Sequence, residues 1–287
     1  MNPKVTTRMI VPHPLLQPHL RYIGVRNFDT GDMVFPKAII AENEIQISIF
    51  LDCRLHGFQK TGTASTGYTF SSSNTTQCYY TAIHTSTKGF IEMHGKVTLV
   101  TLHFKPAGFY HIFRISPKSI FNLYGEAEDI FGSEMRRLYE HLMETAGLLE
   151  RITILEQYLI QKLQYASNNY RHKAIQYAAD CLCGTRGNYS IKRLAENCNV
   201  SLQTLEVRFA EIVGLDPKSF ASIVRFNATV VHKLYNPACT WTHIAHANGY
   251  FDQAHLIKAF KRYSGLSPKE FMRFIHPPFE EFIAENR

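Results

Sequence analysis

The sequence predicts an α+β chain, with a β-rich N-terminal domain that ends in helices and an all-α domain that carries two helix-turn-helix motifs. Three observations lead there. A phrase near the end is written twice, from Phe209 to Phe220 and again, 51 residues later, from Phe260 to Phe271. Self-similarity at such a period marks a repeated supersecondary unit too short to be a domain alone. Alternating apolar and polar runs fall in the first half of the chain. The 287 residues suit two domains, each large enough to bury a core.

In the first half, Glu44 to Asp52 alternates as Glu-Ile-Gln-Ile-Ser-Ile-Phe-Leu-Asp, and Lys96 to Phe104 as Lys-Val-Thr-Leu-Val-Thr-Leu-His-Phe. Both are rich in β-branched or aromatic residues and read as strands separated by Gly-, Ser- and Thr-rich turns. Thr61 to Thr76 is small and polar, which fits either a hairpin or a loop over a pocket. After Phe104-Lys105-Pro106-Ala107-Gly108 the pattern turns helical, over Glu134 to Thr145 and Leu148 to Leu163. Leu148, Ile152, Leu155, Leu159 and Leu163 form an apolar stripe that suits either packing on the domain's own core or the seam of a homodimer. Gln164 to Tyr170, with its Ala-Ser-Asn-Asn, reads as the linker, dividing the chain into 1–168 and 169–287.

Upstream of each copy of the repeat runs an apolar pattern broken in the middle. Leu194 and Ala195 precede Asn199-Val200-Ser201, after which Leu202, Leu205, Phe209 and Val213 share one helical face. Ser201 is a helix cap, because its hydroxyl can accept the unpaired amides of a helix start. In the second copy Ile244 and Ala245 lead to Gly249-Tyr250, and Leu256 and Phe260 line the next helix. Gly249 falls where a turn between helices requires a positive backbone angle. Pro217 to Leu234 reads as a long joining helix, with Pro217 in its first turn and Asn236-Pro237 after its end. The outward side chains are Gln203, Val207, Ala210 and Glu211 on the first unit, and Ala254, Lys258, Lys261 and Arg262 on the second. Glutamine can pair with adenine, lysine can reach guanine or phosphate, and an apolar side chain can meet a thymine methyl, so both faces suit a major groove of double-stranded DNA.

This stretch resembles the DNA-binding domain of the AraC/XylS family of transcription regulators. The resemblance rests on Leu194-Ala195, Val200-Ser201, Leu205, Phe209 and Gly214, then Ile244-Ala245, Gly249-Tyr250, Asp252-Gln253, Leu256, Phe260 and Gly265-Leu266-Ser267-Pro268. It implies a sequence-specific, one-component transcription regulator that uses no cofactor and is not an enzyme, with RNA polymerase as a partner. It places Gln203, Glu206 and Val207 on the first recognition helix and Gln253, Ala254, Ile257 and Lys258 on the second, with the basic Lys261 and Arg262 beside them. The chain departs from the commoner pattern at Val207, where a basic or polar residue stands more often; packing on a neighbouring loop is the alternative reading. The Phe-Lys-Pro-Ala-Gly segment is similar to the cupin-like N-terminal domain attached to some members, which implies a small β-barrel controlled by a small-molecule effector or by assembly.

A net charge of +7 favours a polyanionic partner, and much of the surplus lies between Lys192 and Arg273. Six cysteines, at 53, 78, 181, 183, 198 and 239, include no Cys-x-x-Cys pair. They read as buried or idle thiols of a reducing cytosol. The Met-Asn-Pro-Lys start lacks a basic-then-apolar leader and no apolar run approaches membrane-spanning length, so a cytoplasmic chain with no membrane partner is expected. Fourteen histidines raise the question of a metal, but His94, His103 and His111 lack the His-x-His pair and following carboxylate of a cupin site. A rival reading, a DNA-targeted enzyme with a catalytic N-terminal barrel, requires a reactive cysteine in a basic, exposed pocket, and none of the six has such a sequence context.

Overall fold

The computed structural model describes residues 5–51, 54–59, 67–68, 76–87, 89–164 and 170–274. Its first half is an antiparallel sheet built from β1 (Thr6–Ile10), β2 (Leu20–Ile39), β3 (Gln46–Phe50), β4 (Arg54–Gln59), β5 (Gly67–Tyr68), β6 (Cys78–Thr81), β7 (Gly89–Phe104) and β8 (Tyr124–Glu126). The strands run in the order β1-β2-β7-β3-β6-β8, with β4 also on β7 and β5 on β4. The two expected strands are β3 and β7. β7 extends further upstream than its alternation suggests because it pairs with β2 from Leu20↔Phe104 to Ile39↔Gly89. The ladder slips between Asp29 and Val34, beside Gly31 at φ 57° and Gly95 at φ 77°. There the Gly95 amide donates to Oγ1 of Thr30 at 2.7 Å.

Strand alternation gives the sheet two buried faces. Phe28, Phe50, Tyr79, Met93, Val97 and Leu99 pack on one face. Ile23, Val25, Ile47, Ile49, Val100 and Leu102 face the larger core shared with the helices. The helices are α1 (Gly108–Phe113), α2 (Glu128–Phe131), α3 (Ser133–Glu144) and α4 (Leu148–Gln164), with a 3₁₀ turn at Pro117–Ile120. The α4 stripe lies inside the chain. Ile152, Leu155 and Leu159 are buried and α4 contacts α1 and α3, so the packing alternative accounts for these residues. The expected linker falls largely outside the described residues, between Gln164 at the end of α4 and Tyr170 at the start of the next helix. Cys53 and all of Thr61 to Thr76 except Gly67, Tyr68 and Thr76 also lie outside them.

The second half is helical, comprising α5 (Tyr170–Gly184), α6 (Ile191–Asn197), α7 (Leu202–Val213), α8 (Pro217–Tyr235), α9 (Trp241–Ala247), α10 (Gln253–Ser264) and α11 (Pro268–Phe274). Sequence-readable caps set most of their starts. The side chains of Ser190, Ser201, Asp216, Thr240 and Asp252 each accept an amide from the first turn they open. Ser267 and Glu270 bond reciprocally, side chain to amide, which forms a capping box at α11.

The two halves share one core and are joined by polar contacts. Asn227 on α8 donates to Oδ1 of Asn43 at 2.8 Å, with both residues buried. Near it in sequence, Glu44 accepts from Nδ1 of His103 at 2.5 Å and lies 3.4 Å from Nε of Arg21. Burial pushes the Glu44 carboxyl up, but the charges of His103 and Arg21 and hydrogen bonds from His103 and Gln46 outweigh it and hold the pKa below its ordinary value. His103 is thus a wall residue of β7, stacked on Tyr22 at 4.2 Å between ring centroids. His111 instead meets His19 edge-on. Among the described residues no three His, Cys, Asp or Glu side chains converge as metal ligands.

The described cysteines have different surroundings. Cys78 is buried, and desolvation with the nearby Glu128 raises its thiol pKa; desolvation also raises that of Cys198, whose thiol lies 3.4 Å from the Ala174 carbonyl. Cys198 is only partly buried, at the edge of the core rather than within it.

Candidate nucleic-acid interface

Helices α6 and α7 form the first helix-turn-helix and α9 and α10 the second. The two turns are built alike. Asn199 at φ 52° and Gly249 at φ 75° supply the left-handed residue. The next amide in each turns back to the small residue of the first helix, from Val200 to Ala195 O at 3.1 Å and from Tyr250 to Ala245 O at 3.0 Å. A Cβ on Gly249 would lie 2.1 Å from Oδ1 of Asn188, so the backbone angle favours glycine there and any side chain would have to displace the Asn188 carboxamide.

The joining helix α8 carries both units. Phe220 meets Phe209 of α7 at 5.4 Å between ring centroids, and Phe226 meets Phe260 of α10 at 5.0 Å and Tyr263 at 5.2 Å. The repeated phenylalanines are therefore the anchors that fix each second helix to a common spine. This buries Leu205, Phe209, Ile212 and Val213 in α7 and Leu256, Phe260 and Tyr263 in α10.

The opposite faces hold the side chains expected to meet DNA. Gln203, Glu206 and Val207 are exposed on α7; Gln253, Ala254, Lys258, Lys261 and Arg262 are exposed on α10, and Ile257 is half-buried. Leu202 departs from the expected inward face and is 44 % exposed, at the first position of α7. Gln253 is held by Thr242, whose hydroxyl lies 3.1 Å from its Oε1. Two cations counted in the basic surplus serve the fold instead. Arg225 donates to the Gly187 carbonyl and lies over the Tyr250 ring, while Lys233 donates to the carbonyls of Pro237 and Cys239 and lies over Trp241.

The N-terminal domain touches both second helices at their C-terminal ends. Ser116 donates its hydroxyl to the Glu211 carbonyl at 2.7 Å, and a Cβ on Gly214 would meet Pro117 at 3.1 Å. The Ala41 amide donates to the Tyr263 carbonyl at 3.1 Å, and a Cβ on Gly265 would meet Thr87 at 3.2 Å. The exposed Gln203, Glu206 and Val207 on α7 and Gln253, Ala254 and Lys258 on α10 lie toward the opposite ends, whereas Lys261 and Arg262 stand in the last turn of α10.

Residues 194–273 match the family model described as "Helix-turn-helix domain", which spans both units and the helix between them. This region is an AraC-type helix-turn-helix domain. No curated protein matches the chain. Among solved structures the chain is similar in course to ToxT from Vibrio cholerae, with 8 % identity over 89 % of this chain and 99 % of that one at a TM-score of 0.47. It is also similar to ToxT with an unsaturated fatty acid bound, with 12 % identity over 88 % and 95 % of the two chains at 0.41.

Within the AraC-type domain one exposed residue was not legible as part of the face. Phe251, between the second turn and α10, is 85 % exposed. The signal lay in the repeat spacing, which is 50 residues before the turn, from Ala195 to Ala245, and 51 after it, from Ser201 to Asp252. Phe251 is the extra residue.

Proposed function

We propose that this transcription regulator reads double-stranded DNA with both units of its AraC-type domain, in successive major grooves on one face of the duplex. Gln203, Glu206 and Val207 read from α7, and Gln253, Ala254, Ile257 and Lys258 read from α10. Lys261 and Arg262 add phosphate contacts. The observation that supports this most is the pair of equivalent helices fixed to one spine through Phe209 and Phe260, with their exposed faces left to a partner. Residues 1–168 form the regulatory domain, which passes a small-molecule signal or an assembly state to 169–287. Its contacts at Glu211 and Tyr263 reach both recognition helices and support that route. Cytoplasmic residence and contact with RNA polymerase complete the reading; no helix of the described residues is long and apolar enough to cross a membrane.

Selection of bound duplexes from a random DNA pool by the intact protein tests this. Recovery of a site with two distinct recognition segments about one helical turn (~34 Å) apart is expected. Binding to random DNA as tight as to any selected duplex would reject sequence reading.

A further inference from the structure

Between residues 194 and 273 most exposed large apolar side chains lie at the recognition helices, Tyr235 at the end of α8, 52 % exposed, being the exception among the described residues. Leu202, Val207 and Phe251 are 44 %, 63 % and 85 % exposed, and Phe251 is the most exposed large apolar residue among those described. All three lie on or beside the recognition helices, Val207 in the exposed face of α7 and Phe251 directly before the cap of α10.

Phe251 is not required by the fold. In the first unit one residue, Val200, separates the left-handed Asn199 from the cap Ser201, and that turn closes. In the second, Tyr250 takes the equivalent buried place and Phe251 is added between it and the cap Asp252. The extra ring stands at the end of the helix that enters a groove first. Lys258, Lys261 and Arg262 on the same helix supply positive charge for a polyanion, so the occupant this face fits is DNA. On the floor of the major groove the apolar group is the 5-methyl of thymine, which Val and Phe can meet and which hydrogen-bonding side chains do not read.

We propose that the protein reads thymine through its 5-methyl group in both half-sites, with Val207 and Phe251 as the specificity-determining contacts. This rests on the DNA-reading function above. It assigns to Val207 a reading role in place of the missing basic side chain, and it adds Phe251 to the interface.

The test uses the intact protein and the duplex recovered by selection, with each thymine replaced singly by deoxyuridine, which removes the methyl group and keeps the pairing edge. At one thymine in each half-site affinity should fall about four-fold, the equivalent of one buried methyl group. Phe251→Ala should abolish the penalty in the α10 half-site alone, and Val207→Ser that in the α7 half-site alone. The salt dependence of binding should be unchanged in both variants, since no phosphate contact is lost. Thermal unfolding of Phe251→Ala should match the parent because the ring is exposed. A flat deoxyuridine scan, or penalties that persist in both variants, would overturn the proposal while leaving DNA reading intact. Normal binding and an unaltered scan for Phe251→Ala would assign the ring to a protein partner instead. Failure to recover any duplex would overturn the DNA-reading function itself.

Discussion

Gly214 and Gly265, 51 residues apart, close the two recognition helices in the left-handed conformation, at φ 110° and 76°, and both abut the N-terminal domain. The repeat thus carries its own docking point at the C-terminal end of each recognition helix. Gly265→Ala should lose about 1–2 kcal/mol from the backbone angle, plus the cost of moving Thr87, whose Cγ2 would lie 3.2 Å from the new methyl. Thr87→Ser removes that carbon. A double-mutant cycle by denaturant unfolding should therefore give a non-zero coupling, and strict additivity would show that the two halves do not hold this contact in solution.

At the second turn, Gly249→Val places a β-branched residue at φ 75° with its Cβ against Asn188. More than about 1 kcal/mol should be lost, and DNA binding should fall with it because α10 is no longer set by α9. Unchanged melting and binding in this variant would mean that the turn accepts a β-branched residue at a positive backbone angle.

The all-α domain was legible because its signals are local. Ser201 and Asp252 cap, Gly249 turns, Pro217 starts a helix, and the repeat shows which phenylalanines belong to the core. The first half was less so. The partnership of β2 with β7 joins residues from Leu20 to Phe104, and no local pattern states that pairing. Nor does a sequence show that Asn43 will meet Asn227 or that Ala41 will bond Tyr263. Such contacts depend on how the two halves dock. Glu44 is the sharpest case. Alternation marks it as a strand-end carboxylate, whereas the structure buries it beside His103 and Arg21.

That burial makes a pH dependence. The Glu44 carboxyl has a folded pKa below the 4.5 of its free form, set by His103 and Arg21 against the effect of burial. Its ionised form therefore contributes stability at pH above about 4.5, and the contribution is lost as pH falls through the folded value. Glu44→Gln should be less stable than the parent at neutral pH, with the gap closing toward acid. Urea unfolding between neutral pH and about pH 3 measures it, and a gap that widens on acidification would contradict the ion pair.

Lys258 and Gln203 should separate by salt. Lys258→Ala should lower the salt slope by about one unit if the ammonium meets phosphate, or cost about 1–3 kcal/mol at one base position if it reads guanine. Gln203→Ala should loosen one position with little change in slope, as expected for a neutral side chain at a base edge. Equal affinity of the Lys258 variant and the parent at every salt concentration would remove Lys258 from the interface.

The last prediction follows from the spine. The two recognition helices differ in every outward residue expected to read bases, with Gln203, Glu206 and Val207 on one and Gln253, Ala254, Ile257 and Lys258 on the other. They are nonetheless fixed to the same α8 through Phe209–Phe220 and Phe226–Phe260 contacts. One chain therefore presents two unlike readers in a set relation, and a single copy should occupy two successive grooves without a symmetric partner. The site should then be non-palindromic, unlike the inverted repeats that two-fold dimers with one reader per chain require. Mass measurement of the complex on the selected duplex should give one chain per two-segment site, and footprinting should show both segments protected at the same protein concentration. Two chains on an inverted repeat, with α7 or α10 variants indifferent to one segment, would show that each copy uses one helix only. The contacts at Gly214 and Gly265 would then serve the fold rather than the spacing of the readers.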